Sequence, residues 1–88
     1  MRRAIVDRQL RVVREVAAVT RIDVRGRSIE AIATELARHW APGVRLLAQN
    51  VMTRPQLMLL RDLGFDLFEG FFVDIVAIAR RKRVAMVA

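Results

Sequence analysis

The sequence predicts an α/β fold with three parallel strands, in the element order α-β-α-β-α-β-α. Apolar or β-branched runs centred on Ile22, Leu46 and Phe68 recur 24 and 22 residues apart, and a helical pattern fills each interval. Antiparallel neighbours need only short turns, whereas parallel neighbours need a crossover of this length. Repeated βα units of this kind belong to barrels or to doubly wound sheets.

Residues 1–18 form the predicted leading segment, a helix whose amphipathic pattern starts at residue 4. Val6, Leu10, Val13 and Ala17 recur at helical spacing, and the charged side chains lie mostly off that stripe. Val19–Val24 then alternates in the manner of a strand, with Thr20 and Ile22 on one face and Arg21 and Asp23 on the other.

The first crossover helix follows a turn at residues 25–27. Ser28 is its expected N-cap, and Glu30 in the first turn suits the positive end of the helix dipole. The apolar stripe consists of Ile29, Ile32, Ala33, Leu36 and Trp40. Arg38 and His39 suit the C-terminal turn, and the Pro42-Gly43 pair ends the helix.

The second βα unit has the strongest local signal in the chain. Residues 44–48 are a short apolar run typical of a buried parallel strand. Thr53 and Gln56 predict a capping box, Pro55 is tolerated in the first helical turn, and Gly64 predicts a left-handed C-cap.

The third strand is predicted over residues 67–73, which completes a βαβαβ unit from residue 19 to 73. Residues 74–88 form a divergent tail, predicted to be helical from Asp74 to about Arg83, and residues 84–88 are not assigned. The four phenylalanines are expected in the core rather than on a base-stacking surface, since a parallel strand is buried on both faces: Phe65, Phe68, Phe71 and Phe72.

Composition excludes several classes of protein. The chain has 88 residues, of which 55% are hydrophobic, with a net charge of +7 and no cysteine. A disulfide scaffold and a thiolate metal site are therefore excluded. The absence of a long apolar run or a signal-peptide pattern predicts a cytoplasmic protein with no membrane contact. The cations, almost all arginine, are dispersed apart from a cluster at residues 80–83, which does not favour a specific nucleic-acid site.

Candidate functional residues lie where the predicted parallel strands end, because α/β folds place their sites there. These residues include Asp23, Gln49, Asn50, Met52 and Glu69. Asp23 and Glu69 are the only carboxylates of the set, and His39 is expected at the opposite face as a residue matched to the helix dipole. Arg21 and Asp23 are two residues apart on one strand face and are candidates for a structural ion pair. The residues alone therefore indicate no catalytic set.

The same segments resemble a known family. Residues 43–57, GVRLLAQNVMTRPQL, and 60–72, LRDLGFDLFEGFF, are similar to the end of an EAL domain, which reads AEGVET and then LGCD and QGY. Residues 20–23, TRID, are similar to the LKID strand of that family, and the divergent EAL halves of EAL–HDOD proteins are similar as well. The resemblance covers residues 19–73. It implies a partial (β/α)8 barrel in one truncated bacterial domain, related to a family that uses Mg or Mn to hydrolyse cyclic di-GMP.

The departures from the family pattern imply loss of activity. The motif lysine corresponds to Arg21, and the two glutamates of EGVET correspond to Gln49 and Met52. The motif glycine is Asn50, and the glutamine of QGY is Glu69. The family's metal ligands come mostly from strands that precede this region. No catalytic residue, metal or other cofactor is therefore expected.

Three functions stay open at this point. The first is a degenerate, inactive EAL-like domain that acts through self-association or a partner protein covering the open sheet edges, with at most weak contact to cyclic di-GMP. The second is an active, metal-dependent phosphodiesterase piece of a larger assembly. The third is an arginine-rich binder of nucleotides or nucleic acid. A decayed reading frame with no independent role is a further alternative.

Overall fold

The computed structural model describes residues 3–16 and 18–87, the last five as backbone only. The strands are β1 (Ile5–Asp7), β2 (Val19–Asp23), β3 (Arg45–Gln49) and β4 (Leu67–Glu69); the helices are α1 (Ile29–His39), α2 (Arg54–Leu63) and α3 (Phe71–Val87). One sheet contains all four strands in the order β1-β4-β3-β2. Strands β2, β3 and β4 are parallel, and β1 is antiparallel to β4. Ala17, which was predicted to lie in the leading helix, and Ala88, at the end of the predicted tail, lie outside the described residues.

The prediction of a leading helix over residues 1–18 is wrong for the residues of that segment that the structure describes. In its place, β1 is followed by a tight turn and a return segment. Val6 bridges Val12 in an antiparallel manner, and the N–H of Val13 donates to the carbonyl oxygen of Ile5 at 2.8 Å. The return segment therefore covers the outer edge of β1.

Local chemistry explains why this segment is not helical. The Asp7 carboxylate accepts the backbone N–H groups of Gln9 and Arg11, both at 2.9 Å, which closes the turn. Leu10 has φ of 63°, a left-handed conformation that ends any right-handed helix. The apolar spacing of the segment suits a helix, but pairing with β4 satisfies the backbone of β1 instead.

The central βαβαβ unit confirms the predicted elements. Val19–Asp23 pairs along its whole length with Arg45–Gln49, and the middle of β3 pairs with β4. The Ser28 hydroxyl accepts the N–H of Ala31 at 3.1 Å, as expected of an N-cap.

The cap of α2 differs in one detail from the predicted capping box. The Thr53 hydroxyl accepts the N–H of Gln56 at 3.2 Å, as predicted, but Gln56 Oε1 accepts the N–H of Met52 at 2.8 Å rather than that of the cap residue. Gly64 ends the helix with φ of 124°, and its N–H donates to the carbonyl of Leu60.

The third parallel strand is shorter than predicted. It ends at Glu69 rather than at residue 73, because Gly70 turns the chain with φ of 146° and α3 begins at Phe71. The N–H of Phe72 donates to the carbonyl oxygen of Val51 at 3.1 Å, which ties the start of α3 to the loop after β3. Helix α3 continues to Val87, through residues that the sequence left unassigned.

The core occupies both faces of the central strands. One cluster joins strand residues to the crossover helices, and it includes Ile22, Leu46, Ala48, Phe68, Ile32, Leu57 and Leu60. Leu47 and Leu67 lie beside each other in the register, on the opposite face, and are also fully buried. Phe65 and Phe68 are fully buried as predicted, but the prediction for Phe71 is wrong, since its side chain is 56% exposed.

Over the described residues the fold is therefore of the mixed α/β type, with one four-stranded sheet and three helices, and the sheet is not wholly parallel. The part that sequence spacing predicted, three parallel strands joined by two helices, is confirmed. None of the described helices is long and apolar enough to span a membrane.

Candidate functional site at the carboxyl ends of the parallel strands

The candidate residues lie at one end of the sheet, where its parallel strands terminate. Asp23, Gln49 and Glu69 are the last residues of β2, β3 and β4. Since these strands are parallel, their carboxyl ends lie together at the same end of the sheet, where α/β proteins place their sites. The strand alternation and register also put Arg21, Leu47 and Leu67 on a single face, opposite to the core cluster of the crossover helices.

An ion pair links the two outer parallel strands across this face. Arg21 Nη1 lies 3.0 Å from Glu69 Oε2. The Glu69 side chain is 11% exposed and that of Arg21 is 44% exposed, so the guanidinium covers a nearly buried carboxylate. Burial of a carboxylate is costly unless a cation and hydrogen bonds compensate it. The side chain that ends β4 is therefore held by the side chain in the middle of β2.

The second polar contact joins the ends of β2 and β3. Asn50 Nδ2 donates to Asp23 Oδ1 at 2.9 Å, and the same oxygen accepts the N–H of Arg25 at 3.0 Å. Asn50 has φ of 68°, a left-handed conformation that asparagine tolerates. The predicted ion pair between Arg21 and Asp23 is wrong, since each side chain has another partner.

These contacts affect the titration of Asp23. The hydrogen bond from Asn50 is the main reason that the pKa of Asp23 lies below its ordinary value, and the N–H of Arg25 lowers the pKa further. Because the pKa in the folded state is below that in the unfolded state, the contact stabilises the fold at neutral pH. This contribution is lost as the pH falls through about 4 and below.

We expect Asn50→Gly to raise the pKa of Asp23 toward its ordinary value. Glycine accepts the left-handed backbone at this position, so the substitution removes the amide without adding strain. NMR titration of the Asp23 carboxyl carbon measures the shift. Arg3→Gln is the control, because Arg3 donates to Asn50 Oδ1 at 3.4 Å and has no contact with Asp23. An unchanged pKa in Asn50→Gly would show that the amide does not stabilise the carboxylate.

The other two motif positions bring no polar side chain to this network. Met52 is half exposed, and its backbone N–H donates to Gln56 Oε1. Gln49 is half-buried, and its carbonyl oxygen accepts the N–H of Val24. His39 ends α1 as an exposed residue. Among the described side chains, no group of three or more His, Asp or Glu residues is arranged to hold a metal ion.

A groove of about 940 Å³ opens beside the ion pair, and besides Arg21 it is lined by four arginines that stand outside the motif positions. Its charged lining residues are Arg3, Arg14, Arg21, Arg80, Arg81 and Glu69; the apolar ones are Ala4, Ile5, Val12, Val13, Val16 and Ala77. These arginines are up to 78 positions apart, from residue 3 to residue 81. Arg80 and Arg81 belong to the cationic cluster at residues 80–83, and no local pattern predicts their approach to β2.

We expect the Arg21–Glu69 pair to show a coupling free energy of about 1 kcal/mol in a double-mutant cycle of Arg21→Gln and Glu69→Gln. This value lies at the upper end for exposed ion pairs, since the cation is partly solvated and the carboxylate is nearly buried. Urea unfolding of the four chains measures it. The Arg11–Asp7 pair is the control, because its arginine side chain is 67% exposed, and we expect less than about 0.5 kcal/mol. Equal coupling in both cycles would contradict the prediction.

Fold and site together define a mixed α/β domain with a polar cluster at the ends of three parallel strands. Comparison of the chain with protein-family models, with curated proteins and with solved structures finds no match.

Proposed function

We propose that the chain is a degenerate EAL-like domain, related to cyclic di-GMP signalling, that is catalytically inactive and acts by association. The observation that best supports this proposal is the Arg21–Glu69 ion pair. Both residues stand at positions where the EAL resemblance expects other side chains, and here they neutralise each other at 3.0 Å. A carboxylate whose oxygen already accepts a hydrogen bond from a guanidinium is a poor base for activating water, since that oxygen is less available to take a proton.

The arrangement of the parallel strands supports the resemblance. Strands β2, β3 and β4 are sequential neighbours joined by α1 and α2, like successive strands of a (β/α)8 barrel. We propose that residues 19–69 correspond to part of such a barrel. The motif positions Asp23, Gln49 and Glu69 then stand at the carboxyl ends of its strands.

The test of inactivity is incubation of the purified chain with cyclic di-GMP and Mg²⁺ or Mn²⁺. We expect no linear dinucleotide by chromatography, while an active EAL domain run in parallel converts its substrate. Appearance of the linear product would overturn the proposed inactivity. Association is tested separately by light scattering after size exclusion, where a stable monomer at micromolar concentration would overturn it.

The arginine-lined groove favours a second candidate function, the binding of a nucleotide or nucleic acid. Five guanidinium groups and one carboxylate face a cavity that also has apolar walls. Arginine is suited to phosphate, because its planar fork donates two hydrogen bonds at once.

Calorimetry with cyclic di-GMP and with random DNA, each at two salt concentrations, tests this candidate. Binding by charge alone weakens steeply with salt, whereas specific nucleotide binding depends on salt less. The informative variant is Arg14→Glu with Arg81→Glu, and its control is Arg38→Glu with Arg45→Glu, an equal charge change outside the groove. Equal loss of binding in both variants would show that the groove is not the site.

A further inference from the structure

Within the part of the chain that the structure describes, one edge of the sheet is open. The outer edge of β1 is covered by the return segment through the Val6–Val12 bridge. Strand β2 lies at the other edge, and among the described strands it pairs only with β3. An open edge presents unpaired N–H and C=O groups, which are a template for another strand.

The hydrogen bonds identify which residues of β2 face outward. The N–H of Val24 donates to Gln49, and the carbonyl oxygen of Ala18 accepts the N–H of Arg45, so the backbone groups of both residues point toward β3. Strand geometry alternates, so Thr20 and Ile22 also point toward β3. The N–H and C=O groups of Val19, Arg21 and Asp23 therefore point toward the open edge.

We propose that a second copy of this chain pairs with the edge in an antiparallel manner, β2 against β2, with Ile22 opposite the partner's Ile22. This register places Arg21 opposite the partner's Asp23 and Asp23 opposite the partner's Arg21. Both form hydrogen-bonded pairs, which exchange four backbone hydrogen bonds in all. The proposal rests on the proposed function, because it names the partner through which the inactive domain acts.

Charge complementarity selects this partner and this register. Shifting the two-fold axis to Arg21 would place two arginines directly opposite each other, which is unfavourable, whereas the Ile22 register creates two opposite-charge pairs. Residues Arg21 and Asp23 lie on the same face of β2, so each meets its opposite charge on the continuing face of the joined sheet.

The side chains have the capacity for these second contacts. Arg21 donates to Glu69 through Nη1 only, and Asp23 accepts from Asn50 and Arg25 through Oδ1 only, among the described residues. An arginine has five donors, and a carboxylate has two oxygens. The carbonyl oxygen of Asp23 accepts from Arg27 at 3.2 Å, and its second lone pair is available to the partner's backbone.

Asp23→Arg is the deciding variant, because it places an arginine opposite the partner's Arg21 twice in each dimer. We expect the dissociation constant, from sedimentation velocity, to rise about tenfold or more. Asp62→Arg is the matched control, an equal charge change at an exposed position of α2, and should leave the dimer unchanged. Mixing Asp23→Arg with Arg21→Glu should restore pairing, because each arginine then faces a carboxylate.

Cysteine cross-linking tests the register without relying on Arg21→Glu to fold, since the chain has no cysteine of its own. Ile22→Cys should form an intermolecular disulfide on oxidation, because a non-hydrogen-bonded antiparallel pair brings the two Cα atoms to about 4.5 Å. Thr20→Cys should not, because its copies lie four residues apart along the pair, at about 13 Å.

The outcomes separate this inference from the proposed function. A wild-type monomer, a dimer indifferent to Asp23→Arg, or a cross-link at Thr20→Cys in place of Ile22→Cys would overturn the β2 pairing. A dimer that survives Asp23→Arg leaves association itself standing through another surface. Hydrolysis of cyclic di-GMP would overturn the proposed inactivity and leave the β2 pairing intact.

Discussion

Gly70→Ala is expected to lower the free energy of unfolding by about 3 kcal/mol or more. A Cβ at this position would overlap the backbone nitrogen of Val51 and lie 2.5 Å from its carbonyl oxygen. Neither atom belongs to a flexible side chain, so relief requires β4 and the loop after β3 to move apart. That movement would break the hydrogen bond from the N–H of Val51 to the carbonyl of Glu69. Overpacking costs about 1–3 kcal/mol, and strain at φ of 146° adds to it.

Gly43→Ala separates the steric cost from the backbone cost. Gly43 has φ of 81°, but nothing lies within 4 Å of a Cβ built there. We expect a loss of about 1 kcal/mol, from the left-handed conformation alone. Urea unfolding of both variants measures the difference. Equal losses would show that the approach of Gly70 to Val51 has no energetic consequence.

Phe68→Ala is expected to lower the free energy of unfolding by about 3–4 kcal/mol. Its ring is fully buried in β4, within the cluster that joins the sheet to the crossover helices. Because the ring is enclosed by its neighbours, its removal leaves a cavity. The loss of stability therefore includes both the transfer free energy of the ring and the cost of that cavity.

Phe71→Ala is the matched control for this prediction. Phe71 lies three residues after Phe68, and its side chain is 56% exposed. We therefore expect the free energy of unfolding to change by no more than about 0.5 kcal/mol. Thermal or urea unfolding of both variants gives the comparison. Similar losses at the two positions would contradict the burial difference, because the residue removed is the same.

Local patterns were sufficient for the crossover unit. The caps at Ser28 and Thr53, the stop at Gly64 and the parallel order of β2, β3 and β4 follow from short-range chemistry and from spacing. The placement of Asp23, Gln49 and Glu69 at strand ends was predictable for the same reason.

The same reasoning failed where a distant partner decides the structure. The spacing of Val6, Leu10 and Val13 is compatible with a helix, but pairing with β4, together with the turn closed by the Asp7 carboxylate, makes Ile5–Asp7 a strand. Glu69 lies 48 positions from Arg21, so no local pattern could choose it over Asp23 as the ion-pair partner. The exposure of Phe71 has a different cause, because the turn at the adjacent Gly70 decides which side of the chain becomes solvated.

The sequence by itself determined the parallel βαβαβ unit and the placement of its polar residues at the carboxyl ends of the strands, since alternation, capping and crossover length are local properties. Only the tertiary structure decided the antiparallel β1, the Arg21–Glu69 pair and the meeting of Arg3, Arg14, Arg80 and Arg81 in one groove. The physical reason is that these contacts join residues far apart in the chain. Their energy depends on which surfaces the folded sheet leaves beside one another.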